Sequence, residues 1–203
     1  MPRGFPSYVR LFHPARLDGR PVSWGEIAVR NGTRAHAGMQ LGALTGSGDF
    51  EWQGQPGVYD RVPEQGSLPR ELIPPIVDTL TRHTATADRC WFAYWHGWGR
   101  FTEQWGNPPT FRVPGREYIL FAGPIEAAAD NPSGFRSRSA SIWWPDDRAW
   151  CVATEVDLKT TYIGCPEECR DDLLTRPEIE AFEIDPSSGV DSRSDRLNSA
   201  PAG

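Results

Sequence analysis

Glu155 and Asp157 stand two residues apart near the end of an apolar run that starts at Trp150. On a β-strand, side chains at i and i+2 point the same way, roughly 7 Å apart by the strand rise. Two carboxylates at that spacing share a metal or divide acid and base roles. His96 and Trp98, in the run His96-Gly97-Trp98-Gly99, are the residues that would complete such a site. The imidazole would lie near the acids, and Trp98 would act as a stacking platform where glycines free the backbone to approach a ligand. That is the chemistry of a small hydrolase. The pattern is unspecific, because a glycosidase pair normally comes from different elements flanking the bond, and paired acids need a pocket.

Cys165 and Cys169 bracket Pro-Glu-Glu. Cys165 falls near a predicted helix start, where the dipole lowers a thiol pKa, but Glu167 and Glu168 oppose a thiolate. The spacing is Cys-x3-Cys rather than the Cys-x2-Cys of redox or zinc-ribbon motifs, and no second ligand pair follows. Incidental thiols are expected there, and buried free thiols at Cys90 and Cys151. His13 has no local partner that specifies a triad. The glycines fit neither a phosphate loop nor a dinucleotide fingerprint. No metal site and no cofactor are expected.

Charge placement gives a different candidate. The 203 residues carry a net charge of −6, but the first hundred hold 11 bases and 9 acids while the rest hold 10 bases and 18 acids. No Lys/Arg cluster suits phosphates, so nucleic acid is not an expected partner. The acid-rich half points to a basic protein partner. Its recognition surface would comprise Asp146, Asp147, Glu155 and Asp157, with Trp143 or Trp144 as an aromatic anchor. Adjacent on a strand, Trp143 and Trp144 must point to opposite faces.

The elements that would position these groups can be read from pattern and punctuation. With 20 Gly and 19 Pro the chain is no helical bundle. Residues 22–32 read as a short helix: Ser23 with Glu26 makes a capping box, Val22 with Ile27 a hydrophobic staple, and Asn31-Gly32 a left-handed stop. A second helix spans 75–83, with Ile73, Ile76, Val77 and Leu80 on one face. Residues 90–95 are apolar on both faces, as in a central strand. Thr110–Val113 and Glu117–Ala122 flank the turn Pro114-Gly115, and Ser141–Trp144 and Ala149–Leu158 form a second hairpin. A third helix covers 166–175, and Ile179, Phe182 and Ile184 suggest a final edge strand.

The expected fold is α+β: an antiparallel meander sheet of about five or six strands, with short helices at both ends of the chain. Residues 1–185 would form one domain and 186–203 a disordered tail. No run is long and apolar enough for a membrane span, and the N-terminus lacks a signal-peptide core, so a cytoplasmic location is expected.

Four segments carry a resemblance: Phe12–Arg16, Cys90–Gly99, Val113–Phe121 and Trp143–Leu158. On these the chain resembles a family of uncharacterised actinobacterial proteins over about residues 8–185, which implies no activity. Its order of helices, meandering strands and late helix is also similar to the SUKH group, many of whose members act as immunity proteins. That layout implies a non-enzymatic, antitoxin-like binding module. The alternatives are the small hydrolase above and a small-ligand binder whose aromatic sheet face lines a cavity.

Overall fold

The computed structural model describes residues 3–48, 54–98, 106–130, 132, 138–191 and 193–198. The chain is α+β, with antiparallel pairing throughout its main sheet. The strands are β1 (Ser7–Phe12), β2 (Ala15–Leu17), β3 (Arg20–Val22), β4 (Cys90–Trp95), β5 (Thr110–Val113), β6 (Arg116–Gly123), β7 (Ile142–Pro145), β8 (Cys151–Ala153), β9 (Thr160–Cys165) and β10 (Ala181–Glu183). The helices are α1 (Trp24–Asn31), α2 (Leu41–Thr45), α3 (Ile73–Thr81) and α4 (Glu167–Leu174). No described helix is long and apolar enough to cross a membrane.

Eight strands form the main sheet in the order β10-β1-β9-β8-β7-β4-β6-β5, and β2 pairs with β3 apart from it. The expected sheet of five or six strands is therefore too small. The helices do not stand at both ends either: the chain opens on β1, and its last strand or helix is β10. β1 pairs with both β9 and β10, so the start of the chain is closed against its end.

Alternation along each strand sends Val9, Leu11, Phe92, Tyr94, Ile119, Trp143, Val152 and Ile163 into one core. That face is covered by Ile73, Ile76 and Leu80 of α3 and by Cys169 and Leu173 of α4. Phe12 points the other way and joins a second cluster with Trp24, Ile27, Met39, Leu41 and Leu44 under α1 and α2. β4 is apolar on both faces because it lies inside the sheet, between β7 and β6.

α1 follows from local chemistry. Ser23 Oγ accepts the Glu26 N–H at 3.0 Å, and the Glu26 carboxylate accepts the Ser23 N–H at 3.1 Å. Gly32 then closes the helix at φ 67°, in the left-handed region that glycine enters without a Cβ clash. Val22 and Ile27 are both fully buried in the second cluster. Ser23→Ala is expected to cost about 1 kcal/mol, the usual worth of such a cap, read as a lower urea midpoint with unchanged slope.

Two segments depart from their expected course. β8 ends at Ala153, not Leu158, because β7 offers it only Ile142 and Trp143 as partners. The chain then leaves the sheet through a turn in which the Leu158 N–H reaches the Glu155 carbonyl at 3.0 Å. In the stretch from 186, expected to be a disordered tail, the described residues 193–198 lie against the body. Asp195 is 2% exposed, and its carboxylate accepts N–H groups of Gln40, Leu197 and Asn198 and lies 3.0 Å from His36 Nε2. Composition gave no sign of this, because polar side chains, Asp195 with Ser194 and Asn198, rather than an apolar surface provide the anchor.

Candidate ligand-binding site

The acids expected to work as a pair or as a recognition surface are committed to local contacts. Glu155 and Asp157 do not share a strand face; they lie in the turn after β8. Arg116, at the start of β6, bridges them: its Nη2 is 2.9 Å from Glu155 Oε1 and 2.7 Å from Asp157 Oδ2. The guanidinium also lies 5.4 Å from the centre of the Trp95 ring. Asp147 accepts hydrogen bonds from Thr84 Oγ1 and from the Ala85 and Ala149 N–H groups. Its partial burial opposes ionisation, but these donors hold the carboxyl below its ordinary value. Asp146 accepts from Trp91 Nε1 at 3.2 Å, with Arg89 Nε 3.9 Å away.

The aromatic candidates divide as adjacent strand residues must. Trp143 is 2% exposed, stacked on Phe92 and edge-on to Trp150, so it is core and not a surface anchor. Trp144 is half-buried on the opposite face, edge-on to Phe111. Trp98 has its ring face occupied: the Arg138 guanidinium lies 3.8 Å from the ring centre, so that face is closed as a stacking platform. His96 is exposed in a short 3-10 turn, and no hydrogen bond or ion pair joins it to Glu155 or Asp157. Among the described residues, no three His, Cys, Asp or Glu side chains form a metal-binding group.

All four cysteines are free and buried. Burial pushes the Cys90 and Cys151 thiols up to about 12. At the start of α4, the hydrogen bond between Cys165 and Cys169, followed by burial, pushes the Cys169 thiol up. The same hydrogen bond, against burial, holds the Cys165 thiol below its ordinary value, and both side chains are fully buried.

A cavity of about 400 Å³ opens where β7 and β8 part. Cross-strand register places Ile142, Ala153 and Tyr162 in one row. The small Ala153 side chain leaves room between its two large neighbours. Val113, Leu158 and Val190 complete apolar walls, while Ser141, Thr154, Glu155 and Tyr162 supply polar groups. That volume lies in the range of small-molecule sites, and the mixture of apolar walls with few polar groups is typical of them.

Two of the polar groups stand out. Tyr162 is 4% exposed and Ser141 is 1% exposed. Among the described residues, neither the Tyr162 hydroxyl nor Ser141 Oγ has a hydrogen-bond partner. A buried hydroxyl left unpaired costs about 1–3 kcal/mol, so two at one cavity require an explanation. Arg10 supports Tyr162 from the neighbouring strand, its guanidinium 5.9 Å from the ring centre. Arg10 donates to the Ala37 carbonyl and to Gln40 Oε1, and burial pulls its pKa down.

A third polar group at the cavity is tied to the interior. Thr154 Oγ1 lies 2.7 Å from Thr161 Oγ1, which lies 2.9 Å from His13 Nε2. His13 Nδ1 is 2.6 Å from the Glu64 carbonyl oxygen. Of these residues the sequence singles out His13, without a partner for it. His13 and Thr161 are separated by 148 positions, and only the β1–β9 pairing brings their strands together.

Comparison with protein-family models, with curated proteins and with solved structures finds no match to the chain. The cavity and its hydroxyl groups must therefore carry the functional argument by themselves.

Proposed function

We propose that the protein binds a small, largely apolar molecule in the cavity between β7, β8 and β9. The observation that carries this reading is the pair of buried, unpartnered hydroxyls, Tyr162 and Ser141, at one cavity of about 400 Å³. A ligand that hydrogen-bonds both would remove two desolvation penalties while its body covers Val113, Ile142 and Leu158. The basic-protein reading draws less support, because Asp147 is hydrogen-bonded to the turn at 84–86 and Arg116 bridges Glu155 and Asp157. The hydrolase reading loses its stacking platform to Arg138.

The test is a thermal-shift screen of small aromatic and alicyclic alcohols, amines and amides. A ligand at ten times its Kd stabilises by about 1.4 kcal/mol, which raises Tm by about 3–6 °C in a chain of this size. Ala153→Leu fills the cavity and is expected to abolish the shift. Ser141→Ala removes one polar contact without adding volume and is expected to reduce it. The proposal fails if no compound shifts wild type, or if compounds shift the folded Ala153→Leu protein equally.

A further inference from the structure

The direction of each hydrogen bond from the interior to the cavity is fixed by its far end. The Glu64 backbone oxygen can only accept, so His13 Nδ1 carries the proton in the bond of 2.6 Å. Burial holds the imidazole neutral, its pKa pushed down to about 4, so Nε2 is bare. Thr161 must then donate its hydroxyl proton to His13 Nε2. Its oxygen is left to accept from Thr154, whose own proton is thereby committed inward. Thr154 offers the cavity lone pairs only.

Glu155 leans the same way, since a carboxylate accepts. Among the described residues, Glu155 and Asp157 both pair with the guanidinium of Arg116, two carboxylates on one cation. The Ser141 and Tyr162 hydroxyls are neutral in this respect, each with an unused proton as well as unused lone pairs. Arg10 does not line the cavity; its Nη atoms donate to Ala37 and Gln40, while its Nε has no partner among the described residues.

We infer that the cavity selects a small apolar molecule carrying a primary ammonium group; this rests on the cavity being a ligand site. An ammonium brings three donors and no acceptor, which complements the acceptors of Ser141, Thr154, Glu155 and Tyr162. A carboxylate of similar shape would find donors in the Ser141 and Tyr162 hydroxyls but would face the Glu155 charge and the lone pairs of Thr154 with nothing to donate.

Three probes with one phenyl body separate the possibilities: 2-phenylethylamine, 2-phenylethanol and 3-phenylpropanoate, titrated by isothermal calorimetry at pH 7. The expected order is amine, then alcohol, then carboxylate, with the amine at least ten-fold tighter than the carboxylate. Glu155→Gln is expected to remove the advantage of amine over alcohol while the alcohol still binds. If the carboxylate binds as well as the amine, and Ala153→Leu blocks both, the ammonium preference is wrong and the cavity reading stands. If none of the three binds wild type, the ammonium inference falls, and the broader fragment screen alone decides the cavity reading.

Discussion

Trp143→Ala is expected to destabilise the fold by about 3–5 kcal/mol, the range for removing a large buried aromatic. Trp143 occupies the middle of the sheet, 2% exposed, with ring centres 6.1 Å from Phe92 and 5.2 Å from Trp150. Those two contacts lie on α3's side of the sheet, where the surroundings cannot collapse without moving the β4–β7 pair. Small domains are stable by only about 5–15 kcal/mol, so the loss takes a large share of the total. Urea unfolding followed by circular dichroism reads it directly. Trp144→Ala, on the half-buried face one residue later, is expected to cost much less. A change below about 1 kcal/mol for Trp143→Ala would place that side chain outside the core and restore it as a surface anchor.

What the sequence makes legible depends on how far apart the cooperating residues lie. The capping box of α1 is complete within four residues, and the turn at Pro114-Gly115 within two, so both are readable without tertiary information. β1 is not, because Arg10 interrupts its apolar pattern. That arginine is nevertheless 2% exposed, with its charge met by Ala37 and Gln40 some thirty residues away. β8 is overestimated for the opposite reason. Alternation continues through Thr154, Val156 and Leu158, but a strand ends where its neighbour ends, and β7 begins at Ile142.

The site follows the same rule more severely. Acids, Trp and Cys attract attention because their chemistry is visible residue by residue. Most of them prove to be paired, stacked or buried. The cavity depends instead on an alanine standing between Ile142 and Tyr162 across three strands, which no single strand reveals. Likewise Thr154, Thr161 and His13 acquire meaning only through strand order. The three together turn ordinary core residues into a polar wall.

Acidification tests that wall at its root. His13 is fully buried, and desolvation, only partly opposed by the hydrogen bond to Glu64, pushes its pKa down to about 4. In the unfolded chain a histidine titrates near 6.5. Between these values the unfolded state binds the extra proton, so this residue's contribution is complete above about pH 6.5 and falls as pH drops toward 4. The loss at pH 4 is about 3 kcal/mol, from a shift of about 2.5 units at 1.36 kcal/mol each, less the half-titration of the native group. Carboxyl groups add their own pH dependence, Glu64 and Glu180 with raised values and Asp147 and Asp195 with lowered ones. A difference between wild type and His13→Gln removes their shared effect. Wild type is expected to be the more stable at pH 7, where the variant leaves the Glu64 carbonyl without its donor. That advantage is expected to shrink by about 3 kcal/mol by pH 4, measured as urea unfolding free energies at each pH. Parallel curves for the two proteins would mean that His13 is already charged or solvated in the native state. The donor order from Glu64 to Thr154, and with it the acceptor character of the cavity wall, would then be lost.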